Sequence, residues 1–162
     1  MNILIEEHKK LLTALLKHNV DFILIGGYAV VYYGYSRATG DMDIWLKPDN
    51  HNKIKFIKAL EDFGIDSNDI IKLSEIDFTK ANTFYTGEEP ERIDFLTQIS
   101  GIKWDEAIVN VSALILKEKL VPVIRFKDLI VNKMLSDRPK DRADVDELQK
   151  INKYRNPPLG ND

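Results

Sequence analysis

Two aspartates stand one residue apart at the head of an apolar run, in the segment GDMDIWL at residues 40–46. Side chains alternate between the two faces of a strand, so Asp41 and Asp43 are predicted to project together, about 7 Å apart at the backbone. Two carboxylates this close repel each other unless a cation lies between them. Mg²⁺ binds through one or two carboxylates together with substrate phosphates, so the pair is compatible with a metal and phosphate site. By itself, however, the pair is more typical of a polar strand entrance exposed to solvent.

A third carboxylate favours the metal site. Asp94 lies inside the apolar segment RIDFL at residues 92–96, with Ile93 and Phe95 predicted on the opposite face of the strand. Asp94 therefore lies either on the solvated side of an edge strand or beside the first pair on a neighbouring strand. Three carboxylates on one face could hold two metal ions, which stabilise the attacking and leaving oxygens in phosphoryl or nucleotidyl transfer.

A glycine pair precedes the acidic strand. The apolar segment LIGG ends at Gly26 and Gly27, and a short helix is predicted to follow. Glycines at such a junction let the backbone approach a phosphate closely, and N–H groups at the start of a helix face the anion. Because only 13 residues separate the pair from Asp41, a shared phosphate site is favoured over the alternative, a plain tight turn.

In combination, the segments LIGG, DMDI and RIDF resemble the motifs of nucleotidyltransferases of the polymerase-β-like fold. Those proteins carry an apolar strand ending in Gly-Gly or Gly-Ser, a short helix, a strand with Asp-x-Asp or Asp-x-Glu, and a third acid on a later strand. With Arg37 and Thr39 ahead of the acids, the sequence is most similar to a single-domain bacterial branch. That branch includes the abortive-infection, AbiEii-like toxins of type IV toxin–antitoxin systems. The closing segment FKDLIVNKMLSDRPKDRADVDEL is also similar to that branch, and the resemblance covers most of residues 20–150.

The resemblance implies a nucleotidyltransferase that moves a nucleoside monophosphate from a nucleoside triphosphate, such as ATP, to an acceptor hydroxyl of RNA, tRNA or protein. It implies two Mg²⁺ ions as cofactors, and the toxin branch adds a cognate antitoxin as a partner. The implied catalytic residues are Asp41, Asp43, Asp94 and Lys133, and the three aspartates are the implied metal ligands. The implied nucleotide-binding residues are Gly26, Gly27, Arg37, Thr39 and Asp144. Two alternatives stay open: a non-catalytic, nucleotide-binding regulatory protein of the same fold, and a transferase that modifies a small molecule such as an antibiotic.

Lys133 falls within an apolar stripe of the penultimate predicted helix. It follows Leu129 and Ile130 by four and three residues and adjoins Met134. A lysine on an inward face is costly without a partner, so it either has a structural role, reaching the rim or pairing with Asp137, or points at the triphosphate. The resemblance favours the second interpretation, and replacement of this lysine by methionine is then expected to be neutral or stabilising toward heat.

Three further residues have two interpretations each. Arg37 either clamps a phosphate bidentately or lies in solvent as a loop arginine. Asp144, with Asp141 before it, either charges the start of the last helix or, by resemblance, lies near the active site. Trp45 shares the predicted strand face of the acids and either lines the nucleotide pocket or packs in the core.

These residues require a sheet to position them, and the hydrophobic pattern predicts its strands. Strands are predicted in DFILIGG, DMDIWL, VSALIL and LVPVIR, and FTKANTFYTGEEPERIDFLT is typical of a hairpin. Helices are predicted at residues 3–18, 28–34, 50–63, 126–136 and 140–153. Strands interleaved with helices predict an α/β or α+β fold, with a mixed central β-sheet flanked by helices and closed by C-terminal helices. One domain at residues 1–155 and a flexible tail at residues 156–162 are expected.

The composition excludes several classes of protein. The 162 residues, 44% hydrophobic and 30% charged, suit one soluble domain, and the net charge of −3 argues against a protein that coats nucleic acid. The absence of cysteine excludes disulfide frameworks, thiolate zinc sites and cysteine nucleophiles. No apolar run approaches the roughly 20 residues that cross a bilayer, so we expect a cytoplasmic location and no membrane partner. The histidines show no metal-binding spacing, and His8, His18 and His51 are predicted at the surface or at helix ends.

Overall fold

A computed structural model describes residues 3–156 of the chain. The helices in this range are α1 (Glu6–Lys17), α2 (Gly26–Tyr32), α3 (Asn50–Phe63), α4 (Ser67–Ser74), α5 (Trp104–Ile108), α6 (Phe126–Ser136) and α7 (Pro139–Arg155). The strands are β1 (Phe22–Ile25), β2 (Met42–Leu46), β3 (Thr83–Thr86), β4 (Ile93–Leu96), β5 (Ser112–Leu116) and β6 (Lys119–Val123). Of the tail predicted at residues 156–162, all but Asn156 lies outside the described residues. Within residues 3–156, no helix has the length and apolar character needed to span a membrane.

The six strands form one mixed sheet with the order β3-β4-β2-β1-β6-β5. β2 runs parallel to β4 and antiparallel to β1, while β1 runs parallel to β6. Two antiparallel pairs, β3–β4 and β5–β6, form the two sides of the sheet. The predicted fold class and the hairpin that contains Asp94 are therefore confirmed. The predicted strands VSALIL and LVPVIR form β5 and β6, of which β5 is an edge strand and β6 lies between β5 and β1.

Helices cover both faces of the sheet. Phe56 of α3 packs against Phe95 of β4 with ring centroids 4.9 Å apart, and Trp104 of α5 packs against Trp45 of β2 at 5.2 Å. These contacts lie on opposite faces, because Phe95 pairs in register with Ile44, one residue before Trp45. The first face is the aromatic core beneath α3, and the second face also carries the acids.

Local signals define the ends of the helices. α3 begins where the Asp49 side chain accepts a hydrogen bond of 2.7 Å from the backbone N–H of Asn52, and it ends at Gly64, whose φ of 102° is left-handed. Both ends match the prediction. α2 begins at Gly26 rather than at residue 28, so the glycine pair forms its first turn. α4 and α5 are not among the predicted helices, because their 8 and 5 residues are too few for a helical period to stand out.

The surface position predicted for His8 is wrong. His8 is fully buried, and its Nδ1 lies 2.7 Å from the hydroxyl oxygen of Tyr28 in α2. The helical repeat explains this burial, because Leu11, Leu12 and Leu15 follow at spacings of three, four and seven residues and are buried as well. The stripe that α1 turns toward the core therefore includes a histidine.

The buried side chain of Asn52 fastens the chain before β1 to the chain after β2. Its Oδ1 accepts a hydrogen bond from the backbone N–H of Asp21 at 2.8 Å. Its Nδ2 donates to the carbonyl oxygens of Asp21 at 2.9 Å and Lys47 at 3.3 Å. One amide thus holds the outer ends of the two strands that carry the glycine pair and the first two acids.

Replacing Asn52 by alanine removes three hydrogen bonds to these backbone groups. We expect the free energy of unfolding of Asn52→Ala to fall by about 2–3 kcal/mol, because buried donors and acceptors lose their partners. Urea unfolding measures the change. His51→Ala alters an exposed neighbour on the same helix and is the matched control, expected to change stability little. Equal losses in the two variants would show that Asn52 does not fasten the strands.

Candidate active site

The register of two parallel strands brings the acids together. Asp43 of β2 and Asp94 of β4 are direct partners, so their side chains share one face of the sheet. Asp41 precedes β2 by one residue and faces the same cavity. All three side chains are half-buried. The fold therefore places side by side three carboxylates that are up to 53 residues apart in the chain.

The acids line a cavity of about 610 Å³. Among the other residues predicted in the site, Gly26, Gly27, Arg37, Thr39 and Lys133 also line it, whereas Asp144 does not. Four charged residues that were not predicted in the site also line it: Glu89, Arg92, Arg138 and Lys140. Carboxylates and cations thus face each other across one concave surface.

The electrostatic cost of this arrangement is clearest at Asp43. The pKa of Asp43 is raised to about 6, first by burial and then by the neighbouring carboxylates of Asp94 and Asp41. Lys133 and Arg138 act in the opposite direction. The carboxylate of Asp43 is therefore held in a place where its negative charge is only partly compensated by the protein.

Both glycines make room for residues of the site. Gly26 has a left-handed φ of 65°, and a Cβ there would lie 2.1 Å from Oδ2 of Asp43. A Cβ on Gly27 would lie 2.3 Å from Oγ1 of Thr39 and 3.4 Å from Nη2 of Arg37. The glycine pair therefore allows the start of α2 to approach the acidic strand and the loop before it. This packing requires glycine at both positions even without a bound phosphate.

Lys133 is part of a buried ion-pair network. Its side chain is 7% exposed, and Nζ lies 3.1 Å from Oδ1 of Asp141 and 2.9 Å from Oδ2 of Asp144. The pairing with Asp137 considered from the sequence is wrong, because Asp137 pairs with Arg142 at 2.7 Å. The apolar stripe also ends earlier than predicted, since Met134 is 58% exposed.

Arg37 joins the same network from the loop before β2. Its Nε lies 2.8 Å from Oδ1 of Asp144, and its Nη2 donates a hydrogen bond to Oδ2 at 2.9 Å. The side chain of Arg37 is 14% exposed, so it is not a solvated loop arginine. Asp144 is 1% exposed and lies behind the cavity wall, where it holds Arg37 and Lys133 together. Any contribution of Asp144 to a bound nucleotide therefore passes through these two cations.

Asp141, rather than Asp144, lies in the first turn of α7. Burial acts to raise its pKa, but hydrogen bonds from Arg138, Ser136 and Lys133 outweigh burial and lower that pKa to about 2. Arg138 Nε lies 2.8 Å from Asp141 Oδ2. The junction between α6 and α7 is thus stabilised by a carboxylate that stays ionised over the physiological pH range.

The residues at the cavity suit Mg²⁺ in their chemistry. Their donors are carboxylate oxygens, and Oδ1 of Asp41 is buried without a hydrogen-bond partner among the described residues. As the side chains stand, however, no three histidine, cysteine, aspartate or glutamate groups within residues 3–156 are arranged to bind one ion. Two carboxylates and a substrate phosphate are sufficient for Mg²⁺, and Asp94 is engaged by Arg92 instead.

Trp45 lies apart from this cavity. It is 1% exposed, packs against Trp104, and donates a hydrogen bond from Nε1 to the carbonyl oxygen of Thr97 at 3.3 Å. It lines a second and larger cavity of about 820 Å³ at the other end of β2 and β4, to which none of the predicted site residues contributes. Core packing is therefore the correct interpretation of Trp45.

The raised pKa of Asp43 predicts a pH-dependent stability. The folded pKa of about 6 exceeds the ordinary value of 3.8, so the folded state binds the proton more tightly and stability is lost as the pH rises from about 4 through 6. Asp43→Asn cannot ionise. Without metal, we expect it to exceed wild type in free energy of unfolding by up to about 3 kcal/mol at pH 7, with a smaller difference at pH 4. Urea unfolding in a chelator tests this expectation, and a difference that does not change between pH 4 and pH 7 would contradict it.

The network around Lys133 reverses the expectation for Lys133→Met. Methionine would leave Asp141 and Asp144 buried without one of their cations, so we expect the free energy of unfolding to fall by about 2–3 kcal/mol. Lys140→Met is the matched control, because Lys140 lines the same cavity but is exposed. Urea unfolding of both variants at pH 7 distinguishes the two positions. Stability at or above wild type in Lys133→Met would restore the expectation from the sequence.

The elements around the cavity extend over most of the chain, from β1 to α7. A family model described as "Nucleotidyl transferase of unknown function (DUF2204)" matches residues 5–160 and so includes all of these elements. No curated protein matches the chain. The resemblance to the AbiEii-like branch stays a prediction. The mixed sheet, the acids on β2 and β4 and the family match agree, and the chain belongs to this family of nucleotidyl transferases.

Proposed function

We propose that the protein is a Mg²⁺-dependent enzyme that transfers a nucleoside monophosphate from a nucleoside triphosphate to an acceptor hydroxyl. The observation that carries the proposal is the register pair of Asp43 and Asp94, with Asp41 beside it, in a cavity that also contains cations. Carboxylates alone would repel a triphosphate, and cations alone would bind many anions. Both together suit an anionic substrate that arrives with a metal ion.

In this proposal, Asp41 and Asp43 hold the first Mg²⁺, and Asp94 contributes to a second position. When bound, Mg²⁺ neutralises the phosphate oxygens and makes the α-phosphorus easier to attack. The buried, unpartnered oxygen of Asp41 and the raised pKa of Asp43 support this assignment, because both describe carboxylates that lack a counter-charge in the protein. A divalent ion would supply that charge.

The cations of the cavity face the triphosphate. Lys133 and Arg37 are held by the same buried carboxylate, Asp144, so their positions are set before a nucleotide binds. We assign to Lys133 the stabilisation of the negative charge that develops on the departing pyrophosphate. Gly27 and Thr39 form the neighbouring wall, where they lie closer together than a Cβ on Gly27 would allow.

The transfer itself is a displacement at phosphorus. The acceptor hydroxyl oxygen forms a bond to the α-phosphorus, the bond from that phosphorus to the bridging oxygen breaks, and pyrophosphate leaves with the electron pair. The hydroxyl proton passes to Asp94, which the resemblance marks as the base. The acceptors we propose are hydroxyls of RNA, tRNA or protein, and a toxin role with a cognate antitoxin rests on the AbiEii-like resemblance.

Purified protein incubated with each α-labelled nucleoside triphosphate, Mg²⁺ and either total RNA or cell lysate tests the proposal. We expect labelled acceptor and released pyrophosphate, and we expect Asp41→Asn and Asp43→Asn to lower the rate by about a hundredfold or more. Asp105→Asn, which changes a carboxylate of the larger cavity, is the matched control and should retain activity.

Two results would count against the proposal. One is the absence of transfer to every acceptor while an authentic nucleotidyltransferase is active in the same mixture. The other is transfer that persists unchanged in Asp41→Asn and Asp43→Asn, since the activity would then arise elsewhere. Nucleotide binding that is independent of Mg²⁺ and releases no pyrophosphate would favour the regulatory alternative.

A further inference from the structure

Arg92 holds the third acid of the cavity in a bidentate ion pair. Its Nε lies 3.3 Å from Oδ1 and 3.2 Å from Oδ2 of Asp94, and its Nη2 lies 3.0 Å from Oδ1. Both oxygens of the carboxylate are therefore occupied by one guanidinium group. The two residues are two apart along the chain and point to the same side, so the pair needs no distant element to form it.

A tyrosine supports the guanidinium from the edge strand. Tyr85 of β3 is the direct register partner of Asp94, and the guanidinium carbon of Arg92 lies 3.9 Å from the centre of its ring. This is a short cation–π contact. Tyr85 is otherwise 62% exposed, and its ring contacts the arginine that pairs with the acid.

The ion pair and a metal ion need the same oxygens. A carboxylate oxygen binds Mg²⁺ at about 2.0–2.1 Å and in a nearly octahedral arrangement. A guanidinium group about 3 Å from the same two oxygens would occupy that space and would repel the ion. The three acids share one cavity, yet no three acidic or histidine side chains within residues 3–156 are arranged to bind one ion. The ion pair between Arg92 and Asp94 accounts for this difference.

We propose that Arg92 competes with the second metal ion for Asp94 and keeps that position closed until a nucleotide binds. The inference rests on the proposed function and deepens it. The triphosphate offers Arg92, which also lines the cavity, a more highly charged anion than a single carboxylate, and the arginine then releases Asp94. The first ion binds at Asp41 and Asp43 in the resting protein, and the second position becomes available together with the substrate. Arg92 is thus a positioning residue that couples metal occupancy to nucleotide binding.

Mn²⁺ binding without nucleotide tests the inference, because Mn²⁺ takes the same oxygen ligands and bound Mn²⁺ is counted by electron paramagnetic resonance. We expect wild type to bind one Mn²⁺ tightly. Arg92→Gln should bind a second Mn²⁺ at least about tenfold more tightly than wild type does. The gain should disappear in Arg92→Gln/Asp94→Asn, because the second position then lacks its carboxylate.

Two further variants separate competition at Asp94 from a general change of charge. Arg138→Gln also removes one positive charge from the cavity, but Arg138 pairs with Asp141 and not with Asp94. We expect no added Mn²⁺ in this control. Tyr85→Leu keeps Arg92 and removes only the aromatic ring that contacts it. This variant should therefore also raise the affinity for the second Mn²⁺, but by less than Arg92→Gln does.

The inference is overturned if Arg92→Gln binds no additional Mn²⁺, or if Arg138→Gln shows an equal gain. Its failure is distinguishable from failure of the proposed function. A first Mn²⁺ in wild type that is lost in Asp43→Asn, with no gain in Arg92→Gln, leaves the metal site intact and removes only the role of Arg92. No Mn²⁺ bound by wild type or by any variant would overturn both.

Discussion

Mutual repulsion among carboxylates on two adjacent strands is the constraint on which the rest of the site depends. Parallel pairing of β2 with β4 places Asp43 directly beside Asp94. A slip in register by one residue would destroy this arrangement, because one of the two side chains would then lie on the other face of the sheet. Burial then raises the cost of each charge. The protein compensates with cations from three places: Arg92 on the hairpin, Lys133 on α6, and Arg138 at the start of α7.

The C-terminal helices contribute electrostatics as well as packing. Asp144 binds both Arg37 and Lys133, which are 107 and 11 residues away from it along the chain. Through this one buried carboxylate, the loop before β2 is joined to both α6 and α7. A buried ion pair gains little stability relative to apolar packing, but removing one partner is costly, so such networks maintain relative positions rather than add stability. Here the positions maintained are those of two cations at a cavity wall.

The glycine pair shows how packing and function impose the same requirement. Gly26 and Gly27 lie so close to Asp43 and Thr39 that a side chain on either would overlap the site. Both glycines line the cavity, and the left-handed φ of Gly26 adds a second reason for glycine at that position. Packing alone already explains both residues, and phosphate binding is an additional role within the proposed function.

The sequence by itself determined the features that depend on local periodicity and turn chemistry. Alternation placed Asp41 and Asp43 on one face, the cap at Asp49 and the left-handed Gly64 set the ends of α3, and the hairpin put Asp94 on a strand. Only the tertiary structure decided which charges pair. Lys133 binds two acids of α7 rather than Asp137, four residues away, and Arg92 occupies Asp94. The reason is physical: periodicity states which way a side chain points, but an ion pair forms with whichever opposite charge the packing of distant elements brings within about 3–4 Å.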